Sequence, residues 1–128
     1  MRLVEEVLDV APGERATGRR MAKPDDFYFQ GHFPGQPVVP AVILIELLAQ
    51  TGGIAAAAGA DSQSAPGHPV QLRVAAIGPF KFPLAAGPGM TLEATARVTG
   101  RLGGLFKIEG QVTADGRLVA TGSLTLAG

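Results

Sequence analysis

Three runs in the second half of the chain alternate apolar and polar residues with a period of two. Leu92, Ala94, Ala96 and Val98 interleave with Thr91, Glu93, Thr95, Arg97 and Thr99. Phe106, Ile108 and Val112 interleave with Lys107, Glu109, Gln111 and Thr113. Leu118, Ala120, Leu124 and Leu126 interleave with Arg117, Thr121, Ser123 and Thr125. Such alternation marks antiparallel strands with one buried face. Asp115-Gly116, between the last two runs, predicts a tight hairpin whose turn needs positive φ. Gly103-Gly104 predicts another. Val70 to Phe82 reads as a further strand. Leu3 to Val10 and Arg15 to Met21 read as two more, joined at Pro12-Gly13.

The stretch from Val38 to Ala58 follows a different pattern. Pro40 suits a first helical turn, where its missing N–H would have no partner anyway. Val42, Ile43, Leu44, Ile45, Leu47, Leu48 and Ala49 then cover nearly the whole circumference. A helix apolar all round must be buried on nearly all sides. The stretch is almost long enough to span a bilayer. Glu46, Gln50 and Gly52-Gly53 interrupt it, which favours a core helix over a membrane span. Gly59 to Pro69 reads as a surface loop. One long helix wrapped by a curled antiparallel sheet is an α+β chain of hotdog architecture, expected as a single domain over residues 1–128. Its open strand edges and large apolar surfaces predict a partner chain.

Composition narrows the chemistry. A chain of 128 residues can bury a core without covalent staples. It has no cysteine and two histidines, His32 and His68. Disulfides and thiol nucleophiles are therefore excluded, and no metal site is expected. Eleven basic residues balance eleven acidic ones. That argues against a nucleic-acid binder but leaves room for a local basic patch facing an acidic protein. No signal-peptide pattern opens the chain, so a cytoplasmic protein is expected.

The chemistry concentrates in Phe27 to Gly53, FYFQGHFPGQPVVPAVILIELLAQTGG. His32 lies in a Gly/Pro-rich loop. Glu46 is the one charged residue of the apolar helix, and Gln50 follows on the same face one turn later. A carboxylate buried there without compensation would be costly, and its pKa should rise. A neutral histidine and a protonated glutamate in a shielded site form a base and acid pair. Read residue by residue, other roles stay open. His32 could be a solvated loop histidine, and Glu46 a buried acid paired with Gln50. Tyr28 and the nearby phenylalanines read as packing residues, and His68 as solvated.

Taken together, Gly31-His32-Phe33-Pro34-Gly35-x-Pro37-x-x-Pro40 followed by Glu46-x-x-Ala49-Gln50 closely resembles the FabZ-type (3R)-hydroxyacyl-acyl-carrier-protein dehydratases of fatty-acid synthesis. LVEEVLDVAPGERATG, FKFPLAAGPGMTLE and DGRLVATGSLTLA are similar to further blocks of that family. The resemblance implies a hydro-lyase that needs no cofactor. Its substrate is carried on the phosphopantetheine arm of acyl carrier protein. His32 would abstract the Cα proton, and protonated Glu46 would donate to the departing hydroxyl. The N–H of Ala41, where the family usually has Gly, would polarise the thioester oxygen. Gln50 would orient Glu46 or the released water. The Val38 carbonyl would accept from the histidine ring. Lys81, with Arg19, Arg20 and Lys23 as further candidates, would meet the acidic carrier. The resemblance also implies a homodimer with active sites shared between chains, and leaves open a trimer of dimers. Two other readings stand beside it: a hotdog acyl-thioesterase and a non-catalytic acyl-binding hotdog protein.

Overall fold

A computed structural model describes residues 2–30, 35, 37–60 and 72–128, with the side chains of 58–60 set aside. In chain order the elements are β1 (Glu6–Ala11), β2 (Arg15–Met21), a 3-10 turn (Phe27–Phe29), α1 (Ala41–Ala60), β3 (Arg73–Lys81), β4 (Thr91–Leu102), β5 (Leu105–Ala114) and β6 (Arg117–Ala127). The six strands form one sheet in the order β1-β2-β4-β5-β6-β3. Every neighbouring pair is antiparallel. The sheet curls around α1, which packs on β4, β2, β5, β6 and β1.

The period-two runs become strands because their apolar sets fill this concave face. Leu92, Ala94 and Ala96 of β4 and Ile108 and Val112 of β5 are fully buried. Asp115 and Gly116 both adopt positive φ, 48° and 82°, as a two-residue turn matched to strand twist requires. Gly13 and Gly103 take positive φ at the other two expected turns.

The elements differ from the sequence reading in several places. β1 begins at Glu6 rather than Leu3. Leu3 and Val4 are buried, but their amides face a helix side chain, Gln50, instead of a strand. In β6 the strict alternation breaks between partners of Val112 and Thr113. This bulge adds Val119, so Val119 and Ala120 are both buried. Pro40 lies just before α1, where its carbonyl accepts from Ile43 and Leu44 at 3.0 and 3.4 Å. Of the expected strand over 70–82, β3 covers Arg73–Lys81, while 70 and 71 lie outside the described residues. The expected loop begins later than Gly59, since α1 runs to Ala60, and 61–69 lie outside the described residues.

The helix itself departs from expectation. Leu44, Leu47, Leu48, Thr51, Ala55 and Ala56 are buried against the sheet. Thr51 closes its polar group on the Leu47 carbonyl at 2.8 Å. The other face carries Val42, Ile45, Glu46, Gln50, Gly53, Ile54 and Ala57, none of them fully buried. One sheet therefore covers half of α1, and the outer half is apolar but open. No helix among the described residues is long and apolar enough to cross a membrane.

Small residues set how closely α1 approaches. A Cβ on Gly110 would meet the Thr95 carbonyl oxygen and, at 2.8 Å, Leu48 Cδ1. A Cβ on Gly53, on the open face, would meet nothing within 4 Å. Gly110→Ala should lower stability by about 1–3 kcal/mol through overpacking. Gly53→Ala should raise it by about 0.5–1 kcal/mol through helix propensity. Urea unfolding followed by circular dichroism checks both signs.

Candidate active site

The open face of α1 forms one wall of a cavity of about 720 Å³. Glu46 and Gln50 contribute the polar part of that wall. Val4, Ile54, Leu72, Val74 and Leu126 supply its apolar lining, and Arg2 and Arg73 also border it. Glu46 is thus half-buried beside a cavity, not sunk in the core as a helix enclosed on all sides would have it. The reason is the coverage of α1: the sheet takes the face at Leu47 and Leu48 and leaves the face at Glu46.

The Gln50 carboxamide is oriented by its surroundings. Its Oε1 accepts from the Leu3 N–H at 2.7 Å and from the Val4 N–H at 3.4 Å. Both amides can only donate, so the oxygen must face them and the NH₂ must face the other way. Nε2 then donates to Glu46 Oε1 at 3.1 Å. One carboxyl oxygen of Glu46 is thereby held as an acceptor. A Glu/Gln pair one helical turn apart thus presents an oriented carboxyl group beside the cavity.

The start of α1 borders a second cavity, of about 230 Å³. Val38, Ala41, Phe82 and Leu84 line it. The segment leading into the helix is fastened by the Val39 N–H to the Ala86 carbonyl at 2.8 Å. As the first residue of α1, Ala41 has an N–H with no acceptor inside the helix. Among the described residues, the linings of the two cavities have no residue in common. Within one chain the helix start and the Glu46 carboxyl therefore open into different spaces. His32 lies outside the described residues.

The basic candidates are placed unequally. Arg19 on β2 is paired with Glu6 across the β1–β2 ladder. Lys23 pairs with Glu5 at 3.1 Å. Arg20 turns inward: its side chain is 11% exposed and pairs with an equally covered Asp26 at 3.1 Å. Its Nε donates to the Tyr28 hydroxyl at 3.3 Å, and that hydroxyl donates to Asp26 at 2.6 Å. Arg20 is thus part of a buried cluster rather than a surface patch. Burial opposes ionisation of Asp26, but Tyr28, the Lys23 amide and Arg20 outweigh it and hold its carboxyl below the usual range. Burial and the bond to Asp26 push Tyr28 up to about 12. Lys81 is exposed at the end of β3, with no ion pair among the described residues. It immediately precedes Phe82 of the second cavity.

The sequence pattern missed the Leu3 and Val4 amides, since a backbone donor has no residue signature. It also missed Arg73, which lines the larger cavity from β3. No group of three or more His, Asp or Glu among the described residues is placed to hold a metal ion.

The architecture is that of known structures. The chain aligns with the dehydratase heterocomplex ApeI:P from Xenorhabdus doucetiae at a TM-score of 0.73 and 19% identity, over 98% of this chain and 82% of that one. The PaaI protein of the E. coli phenylacetic acid degradation operon gives 0.70 at 16% identity, over 96% and 82%. Likeness at these identities shows the hotdog fold. Sequence relatives go further. The 3-hydroxyacyl-acyl-carrier-protein dehydratase FabZ of Roseiflexus sp. (strain RS-1) is 34% identical over 125 residues, 98% of this chain and 84% of the relative. FabZ of Syntrophotalea carbinolica is 36% identical over 124 residues, 95% and 80%. A FabA-like domain is matched over residues 1–123. From its N-terminal segment to its last strand, the chain belongs to the FabA-like family.

Proposed function

We propose that this protein dehydrates 3-hydroxyacyl thioesters carried by acyl carrier protein to trans-2-enoyl thioesters, as one domain working in the cytoplasm. The observation that carries the reading is Glu46, oriented by Gln50, beside an apolar cavity of about 720 Å³. The apolar part of this lining suits an acyl chain, and a protonated Glu46 beside it would serve a departing 3-hydroxyl. Membership of the FabA-like family, with relatives named as 3-hydroxyacyl-acyl-carrier-protein dehydratases, supports the same chemistry.

In this reading His32 takes the Cα proton of the bound thioester. Charge then develops on the thioester oxygen, and the Ala41 N–H at the start of α1 stabilises it. Ala41 retains the donor that matters, because the bond comes from the backbone. The C–O bond at Cβ breaks as Glu46 donates its proton to the departing hydroxyl. Products are the enoyl thioester and water. The Val38 carbonyl would fix the tautomer of His32. These residues need no cofactor.

The separation of the two cavities supports a site built from two chains. Ala41 and Glu46 of one chain face different spaces, so a complete set needs Ala41 and His32 from one protomer and Glu46 and Gln50 from its partner. β3 is an edge strand of the sheet, with Ile77 57% exposed. An exposed apolar edge of this kind is what a second sheet covers. A trimer of such dimers is compatible with the family resemblance. Among the basic candidates, Lys81 is best placed to meet the acidic carrier, beside the cavity at Ala41. Arg19 and Lys23 are already paired with glutamates, and Arg20 is buried.

Three outcomes follow. Glu46→Gln should lower formation of enoyl product by about a hundredfold or more with the fold intact. Free thiol as the main wild-type product would point to a thioesterase, and substrate binding without turnover to an acyl-binding protein. Co-refolding His32→Ala with Glu46→Gln should restore about a quarter of wild-type activity. Half the dimers are then mixed, and each mixed dimer has one undamaged site under two-fold symmetry. No recovery in verified mixed dimers would place each site within one chain. The KM for carrier-bound substrate should rise with added salt, while that for a pantetheine thioester should not.

A further inference from the structure

Arg20 touches more than its buried partners. Its Nη1 donates to the Leu3 carbonyl oxygen at 3.2 Å. That oxygen belongs to the Leu3–Val4 peptide group, whose N–H lies 3.4 Å from Gln50 Oε1. A peptide group is planar, with C=O and N–H on opposite sides. Fixing its oxygen therefore fixes the direction of its hydrogen. The Leu3 N–H, one bond system earlier, makes the shorter contact to the same Gln50 oxygen.

Those two amides hold the Gln50 oxygen on the side away from Glu46. With them in place, Nε2 faces the carboxyl. A carboxamide turned over would present its oxygen to Glu46 instead. The line of bonds runs from Asp26 through Arg20, the Leu3–Val4 peptide and Gln50 to Glu46. Pinning the 3-10 turn would need just the contacts to Asp26 and Tyr28. The contact to Leu3 is the one that reaches the cavity. Arginine suits this post because its planar fork serves three acceptors in fixed directions, which an ammonium group does not.

We infer that Arg20 is a positioning residue for Glu46, acting through the Leu3–Val4 peptide and the Gln50 carboxamide. The inference rests on the reading of Glu46 as the acid, but the relay itself is measurable without turnover.

The test uses the full chain with Arg20→Lys, Arg20→Gln, Gln50→Ala and the double variants. Hydrogen exchange at the Leu3 and Val4 amides should accelerate about tenfold or more in Arg20→Lys and Arg20→Gln. In turnover, either Arg20 variant should lower kcat about tenfold with little change in KM. In the Gln50→Ala background the same change at Arg20 should cost less than about twofold, since residues acting in series are not additive. Arg20→Lys keeps a cation beside Asp26, so it reports on the relay even if Arg20→Gln does not fold. Unchanged exchange at Leu3 and Val4 in a folded Arg20→Lys protein would overturn the relay. So would equal kcat losses with and without Gln50. If wild-type protein forms no enoyl product, the dehydratase reading fails, and the exchange result still decides whether the relay exists.

Discussion

α1 carries apolar side chains around its circumference, and one curled sheet can bury half of it. The covered half at Leu44, Leu47, Leu48, Thr51, Ala55 and Ala56 supplies the core. Gly110 lets that half lie close enough to exclude water. The uncovered half has nowhere to go within this chain and becomes a cavity wall. A carboxyl group is tolerated on that wall because it can face the cavity rather than the packed interior. The same partial coverage thus produces the hydrophobic core, the cavity beside Glu46 and the surface left open at the helix.

Gln50 joins these levels. It is a helix residue on the open face, yet its oxygen is occupied by the Leu3 and Val4 amides. That occupation delays the start of β1 to Glu6 and buries Leu3 and Val4 outside any strand. One carboxamide therefore docks the N-terminal segment on α1 and orients the acid. Buried polar groups joined in this way strengthen one another, and a change at one end is felt at the other.

Much of this was legible in the sequence. The period-two runs gave β4, β5 and β6, and the glycine turns between them fell where positive φ was expected. The apolar run after Pro40 gave α1. Glu46 and Gln50 were visible as exceptions to that run. The bulge at Val119 was not visible, because one extra residue leaves no period of its own. Nor was the environment of Glu46, since a helix apolar all round does not say which half its sheet will take. Arg20 read as a surface cation because charge alone does not reveal a buried partner. Asp26 and Tyr28, six and eight residues on, reach it through the 3-10 turn. His32 lies outside the described residues, and its role rests on its motif and on the proposal above.

The wall at Glu46 also behaves as a ruler. Beyond Gln50 it continues through Gly53, Ile54 and Ala57, and each helical turn advances about 5.4 Å. The depth of the cavity along this wall is therefore graduated in turns of one helix. Gly53 is the first graduation past the acid, and a Cβ there would project into open space. A bulkier residue on this side would fill part of the cavity and leave the packing at Leu47 and Leu48 as it is. The size of the cavity and the packing against the sheet thus answer to different positions of the same twenty residues.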